Sequence, residues 1–200
     1  MTASRTFAVV GAGSWGTALA LQLARRGCDV RLGGILELDL LEKMAEEGEN
    51  SRYLPGISFP PNLTAHPDIE TCVTSADCVL VVVPSHGLRS TLENVKPLLG
   101  KDTRVCWATK GFELHSGKLP HQVAAEVLGS GRPMAVLSGP TFAKEVAEGL
   151  PTAMTVAAND EDFAKTLAEA LSGDNFRAYT SDDLVGVEVG GAVKNVLAIG

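Results

Sequence analysis

The chain has 200 residues, of which 45% are apolar, 17 are Lys or Arg and 24 are Asp or Glu, for a formal charge of −7. This apolar share excludes a disordered chain. The acidic balance, with no basic cluster beyond Arg25-Arg26, argues against general binding to nucleic acid or anionic membranes.

Between Phe7 and Leu21 a weakly polar stretch is broken by Gly11, Gly13, Ser14 and Gly16, so it suits neither a signal peptide nor a membrane span. Cys28, Cys72, Cys78 and Cys106 form no CxxC pair and no zinc spacing with the four His residues. Buried, reduced thiols of a cytoplasmic protein are the expectation, with no metal.

Read from the N-terminus, Arg5 to Val10 is a first strand, and Ala18, Leu19, Leu21, Leu23 and Ala24 supply a helix that stops at Gly27. Val30-Arg31-Leu32 is a short strand, and Leu36 to Glu47 an amphipathic helix. Gly48 to Pro67, with Pro55, Gly56, Pro60 and Pro61, reads as an irregular excursion. Asp77 to Val83 reads as a strand whose apolar run from Cys78 is unbroken until Pro84 ends it, as expected of a parallel strand covered on both faces. Strands at Arg104 to Thr109 and Met134 to Leu137 alternate with helices around Leu88–Val95 and Leu119–Leu128. Thr152–Ala157 (strand), Asp162–Leu171 (helix), Phe176–Thr180 (strand) and a last helix from about Leu184 complete the series. Such alternation implies an α/β fold: an open, doubly wound, mostly parallel sheet with helices on both faces. The chain stops within an apolar helical pattern at Leu197-Ala198-Ile199-Gly200, which reads as a fragment of a longer protein.

Gly11-x-Gly13-x-x-Gly16 follows a strand and opens a helix, the setting that gives this spacing meaning. The first glycine permits a tight turn, the second lets backbone approach a pyrophosphate, and the third allows close helix–strand packing. A dinucleotide, NAD or NADP, is the implied ligand. No clear ribose reader follows the second strand: Gly33-Gly34-Ile35 stands there, with Arg31 inside the strand and Glu37 and Asp39 slightly later. Trp15 either shields a bound cofactor or packs.

Lys110, just past a strand in Thr109-Lys110-Gly111, is either an ordinary surface lysine or a contact for a phosphate or carbonyl oxygen. In Ser138-Gly139-Pro140-Thr141-Phe142-Ala143 another strand meets a helix; Gly139 permits close approach, and Thr141 is either a plain cap or part of an anion site. Lys194 lies among Gly190, Gly191, Ala192, Val193, Val196, Leu197 and Ala198, so it either snorkels or occupies a site. Burial and a second cation, Lys110, would each ease proton release near neutral pH. Ser85-His86 lacks a GxSxG elbow and reads as a turn bordering the cofactor cleft. His66, His115 and His121 have no evident partners and read as structural.

Taken together, these segments resemble the NAD(P)-dependent glycerol-3-phosphate dehydrogenases. The resemblance rests on Gly11 to Ala20, Val81-Val82-Val83-Pro84-Ser85-His86, Trp107-Ala108-Thr109-Lys110-Gly111, Ser138 to Glu145 and Gly190-Gly191-Ala192-Val193-Lys194-Asn195-Val196, in the family's order. It implies a Rossmann-like domain over residues 1–180 and, from 181 to 200, the start of a truncated helical substrate domain. The implied reaction is hydride transfer between NAD(P)H and dihydroxyacetone phosphate, giving sn-glycerol 3-phosphate for phospholipid synthesis.

On that pattern Gly11, Gly13, Ser14, Trp15, Gly16, Lys110 and Ala143 bind cofactor, while Lys110, Gly139, Thr141 and Lys194 bind substrate. Lys194 is the general acid/base. A cytoplasmic enzyme without nucleic-acid partners or membrane insertion is expected, with a homodimer left open for a full-length form. Two departures stand out: Gly33-Gly34-Ile35 replaces the Trp-Gly pair and following basic or polar residue of relatives, and the family's phosphate-gripping Arg-Asn segment is absent. Two other readings remain: a different reductase with a Rossmann and a helical domain, acting on hydroxy acids, and a non-catalytic nucleotide-binding fragment.

Overall fold

A computed structural model describes residues 5–197, with side chains through Val193. Its elements are β1 (Thr6–Val10), α1 (Ser14–Arg25), β2 (Asp29–Gly33), α2 (Leu38–Glu47), β3 (Leu63–His66), α3 (Ile69–Val73), β4 (Cys78–Val81), α4 (Ser85–Val95), β5 (Arg104–Trp107), α5 (Pro120–Leu128), β6 (Met134–Ser138), α6 (Ala143–Glu148), β7 (Thr152–Ala158), α7 (Glu161–Leu171), β8 (Phe176–Ser181) and α8 (Leu184–Leu197). The strands form one sheet in the order β3-β2-β1-β4-β5-β6-β7-β8. Neighbours run parallel except β6 and β7, where Val136 stands opposite Ala157 in antiparallel register.

Side-chain alternation explains the double winding. Phe7, Val9, Cys78, Leu80 and Cys106 face a core completed by α1, α2, α6 and α7. Ala8, Val10, Val79, Val81, Val105 and Trp107 face a second core shared with α3, α4, α5 and the start of α8. The central strands are buried on both faces, which is why their sequences run continuously apolar. Helix α1, buried from Gly16 to Ala24, is the most enclosed of the helices and starts at the glycine turn.

Two expectations needed correction. The excursion from Gly48 to Pro67 ends in a strand, β3, which pairs parallel with β2 (Val30 opposite Leu63, Gly33 opposite His66). Only Leu63 and Ala65 of its four residues are buried, so its apolar signal is weak beside the prolines. Helix α4 begins at Ser85 instead of near Leu88, with Pro84 just ahead of it. The four cysteines are buried and unbridged, with Cys78 and Cys106 Sγ atoms 3.7 Å apart. Among the described residues no helix is long and apolar enough to cross a membrane, and no group of three or more His, Cys, Asp or Glu is placed to hold a metal ion.

Candidate active site

Strand order reverses between β1 and β4, and in open α/β sheets ligands bind outside the carboxyl ends of strands at such a point. There Gly11 (φ +122°) donates its N–H to Gly33 O at 2.8 Å. A Cβ on Gly11 would lie 2.1 Å from Val82 O, and one on Gly16 would lie 1.8 Å from Gly11 O. Both glycines are therefore required by packing within the protein. Gly13 differs: a Cβ there would meet nothing within 4 Å. It is also the N-cap of α1, and no side chain caps that helix. The first turn, with Ser14 and Trp15, thus presents backbone N–H groups and the positive dipole end toward open space, an arrangement suited to a pyrophosphate.

These contacts predict separable effects. Gly16→Ala should lower the unfolding temperature by several degrees, whereas Gly13→Ala should fold normally and weaken dinucleotide binding by about tenfold or more. Thermal unfolding alongside cofactor titration checks both, and equal stability losses at the two positions would contradict this division.

The turn is held from outside by a residue that carried no local signal. Asn50 is fully buried and donates Nδ2 to Ala12 O (3.0 Å) and Thr17 Oγ1 (2.8 Å), while its Oδ1 accepts Tyr53 N–H at 3.1 Å. The irregular segment that follows α2 is consequently a wall of the glycine turn.

On the far side of β4, three loops converge. Thr109 Oγ1 donates to Val83 O (2.7 Å), tying the loop after β5 to the one after β4. Lys110 Nζ donates to Gly139 O at 3.0 Å, joining the loop after β6. Lys110, half-buried, is thus engaged with backbone at the strand ends. Gly139 is pressed against β7, where a Cβ would lie 2.9 Å from Ala153 O.

Helix α8 closes this corner: a Cβ on Gly191 would stand 2.6 Å from Ser138 Oγ and 3.7 Å from Lys110 Cγ. Ser138, Gly139, Pro140, Thr155, Gly186, Val187, Gly190 and Gly191 enclose a cavity of about 270 Å³ between sheet and helix. Lys194 follows Gly191 by three positions on α8; its side chain and the terminal residues 198–200 lie outside the described part.

Helix α6 packs against α1. Ala143 at its start and Trp15 at the start of α1 both pack against the same core. Thr141 is not a helix cap, since the N-cap of α6 is Phe142 and no side chain caps it. Instead Thr141 Oγ1 is buried without a hydrogen-bond partner, as is Trp15 Nε1. Unpaired buried polar atoms cost stability, and these two belong to segments flanking the glycine turn and the α8 cavity.

His121 departs from its partnerless reading. Glu188 of α8, only 4% exposed, accepts hydrogen bonds from Trp107 Nε1 (2.9 Å) and from His121 N–H (2.9 Å), and its other oxygen lies 2.6 Å from His121 Nδ1. Burial raises the Glu188 pKa above its ordinary value, against the opposing pull of the His121 and Trp107 hydrogen bonds. This network fastens α8 to β5 and α5; a lone Glu in an apolar helix was its only sequence trace. His66 meets Thr64 Oγ1 through Nε2 at 2.8 Å, and His115 sits in a turn at φ +74°. A larger hollow of about 580 Å³, lined by Arg5, Asp77, Arg104 and Phe163, opens at the amino ends of β1, β4 and β5, the wrong edge for this chemistry.

The fold and glycine turn define a Rossmann-type α/β domain. A model of the NAD-dependent glycerol-3-phosphate dehydrogenase N-terminus matches residues 6–164, and the chain belongs to that family. It is 52% identical over 198 residues to a glycerol-3-phosphate dehydrogenase [NAD(P)+] of Stenotrophomonas maltophilia, covering 99% of this chain and 58% of the relative. A protein of the same description from Pseudoalteromonas translucida is 50% identical over 200 residues, covering 100% of this chain and 59% of its own length. The crystal structure of a glycerol-3-phosphate dehydrogenase from Coxiella burnetii superimposes with a TM-score of 0.93 at 47% identity, covering 98% of this chain and 59% of that one. The chain therefore spans a little under three-fifths of the length of these relatives.

Proposed function

We propose that this chain is the dinucleotide-binding part of an enzyme interconverting dihydroxyacetone phosphate and sn-glycerol 3-phosphate with NAD or NADP, in support of phospholipid synthesis. The observation that carries the reading is the convergence of Lys110, Gly139 and α8 at the carboxyl edge, beside an uncapped α1. In this reading residues 1–180 form the cofactor domain, and residues 181–200 begin a helical substrate domain.

Gly11 and Gly16 shape the turn, while Gly13, Ser14, Trp15, Lys110 and Ala143 would hold the cofactor. The bound nicotinamide supplies the hydride. Lys110 and the Gly139–Thr141 segment receive the phosphorylated triose. Lys194 donates the proton to the carbonyl oxygen and stabilises the alkoxide that develops there. A cytoplasmic location and, for a full-length form, a homodimer complete the proposal.

The test is a titration of the purified protein with NADH and NADPH, with and without dihydroxyacetone phosphate. Saturable cofactor binding is expected of this chain, and triose-dependent loss of the reduced nicotinamide absorbance of a full-length form; its absence from the full-length form would support the non-catalytic nucleotide-binding reading. Oxidation driven by a keto acid but not by the phosphorylated triose would point to the hydroxy-acid class instead.

A further inference from the structure

Lys110 stands on the connection between β5 and α5, which has little apolar packing of its own: Phe112 and Leu114 are 45% and 62% exposed. Polar contacts hold it instead. Between those two residues lies Glu113, whose side chain is only 15% exposed. Its two carboxylate oxygens accept the fork of Arg89 on α4, from Nε at 2.7 Å and from Nη2 at 3.0 Å. Ser116 Oγ also donates to this carboxylate, and Glu113 N–H donates to Lys118 O at 2.8 Å, closing the turn. The hydrogen bonds from Arg89 and Ser116 hold the Glu113 carboxyl down to about 2, so the pair is ionised near neutral pH. The upstream end of the segment is fixed to the same β4–α4 unit. Thr109 Oγ1 donates to Val83 O at 2.7 Å, and a Cβ on Gly111 (φ +102°) would lie 3.6 Å from Ser85 Oγ.

Lys110 is therefore strung between two anchors, Thr109 and Glu113, that both attach to β4 and α4. A two-pronged arginine–carboxylate pair fixes geometry as well as charge, which a lysine in place of the arginine does not reproduce. A binding group displaced by about 1 Å loses much of its effect. We propose that Arg89 and Glu113 are positioning residues for the reaction: their ion pair fixes the backbone from which Lys110 reaches the corner beside Gly139, and so sets the grip on the phosphorylated triose. The inference rests on Lys110 receiving the triose as proposed above. Partly exposed ion pairs add little to global stability, so the pair acts through placement. Glu126 of α5 accepts a further hydrogen bond from Arg89 Nη2 at 2.7 Å and pairs with Lys118, on the outer side of this cluster.

Steady-state kinetics with dihydroxyacetone phosphate on a full-length form, beside thermal unfolding of each variant, test it. Lys110→Ala sets the scale by raising KM for the triose about tenfold or more. Glu113→Gln and Arg89→Lys, which break the charged fork while nearly keeping side-chain size, should each raise that KM by about three- to tenfold. Their unfolding temperatures should stay within about 2 °C of wild type. In the Lys110→Ala background the same replacements should change KM by less than about twofold, because the residue they place is gone. A merely structural role would carry its full effect into that background. Lys118→Ala, on the outer side, should leave KM unchanged. An unchanged KM in Glu113→Gln or Arg89→Lys, or an equal rise with and without Lys110, would overturn the positioning role while leaving Lys110 in the site. An unchanged KM in Lys110→Ala would overturn the substrate site itself.

Discussion

On the function proposed above, Lys194→Ala in a full-length version is expected to lower kcat for reduction of dihydroxyacetone phosphate by about 10²–10⁴-fold while leaving the NADH dissociation constant unchanged. Gly191 brings α8 against Ser138 and Lys110, a position that any side chain would block. Lys194 follows Gly191 by three positions on α8, a spacing that returns to nearly the same helix face, and this spacing is what motivates the proposed role. Lys194→Arg separates charge from proton transfer: guanidinium keeps the cation but does not release a proton at neutral pH. It should therefore be nearly as impaired in turnover as the alanine variant. Turnover within a few-fold of wild type in Lys194→Ala would remove Lys194 from the proposed role.

The second large effect is on stability. Glu188→Ala should destabilise the protein by about 2–5 kcal/mol, because it strands the Trp107 indole N–H and the His121 backbone N–H in a buried setting and leaves a void. Urea unfolding at neutral pH measures this directly. An unchanged midpoint would show that the network does not hold α8.

The milder Glu188→Gln keeps an acceptor for both donors but cannot ionise. Burial raises the folded-state pKa of Glu188 above that of the unfolded chain, so the native state binds the proton more tightly. Its contribution is therefore most favourable below the ordinary carboxylate range and declines as pH rises through the raised value. Wild type should lose stability relative to Glu188→Gln as pH is raised from about 4 to about 7. A stability difference independent of pH across that interval would contradict the assignment.

What was legible along the chain had local causes. The strand–glycine–helix turn is encoded in contiguous residues, and the structure shows why: Gly11 and Gly16 leave no room for a side chain, each against backbone nearby. The apolar runs at β1 and β4 announced strands buried on both faces. In contrast, β3 was hidden because half of its short length faces outward and its pairing partner, β2, lies some thirty residues earlier. Asn50 and Glu188 escaped for a related reason. A buried polar side chain is recognisable only through its partners, and theirs are Ala12 and Thr17 in one case, Trp107 and His121 in the other. Whether Thr141 caps α6 likewise turned on where that helix begins, one residue beyond Phe142.

Periodicity, glycine spacing and strand–helix alternation were enough to establish the sheet class and the cofactor turn, since these depend on interactions between residues close in sequence. Which distant loops share a corner was decided only by folding. Sheet order places the ends of β5 and β6 side by side, and helix α8 then lies across them because its apolar start completes the second core. Long-range packing and hydrogen bonding, to which no local pattern is sensitive, bring Lys110 to Gly139, Glu188 to Trp107 and Glu113 to Arg89.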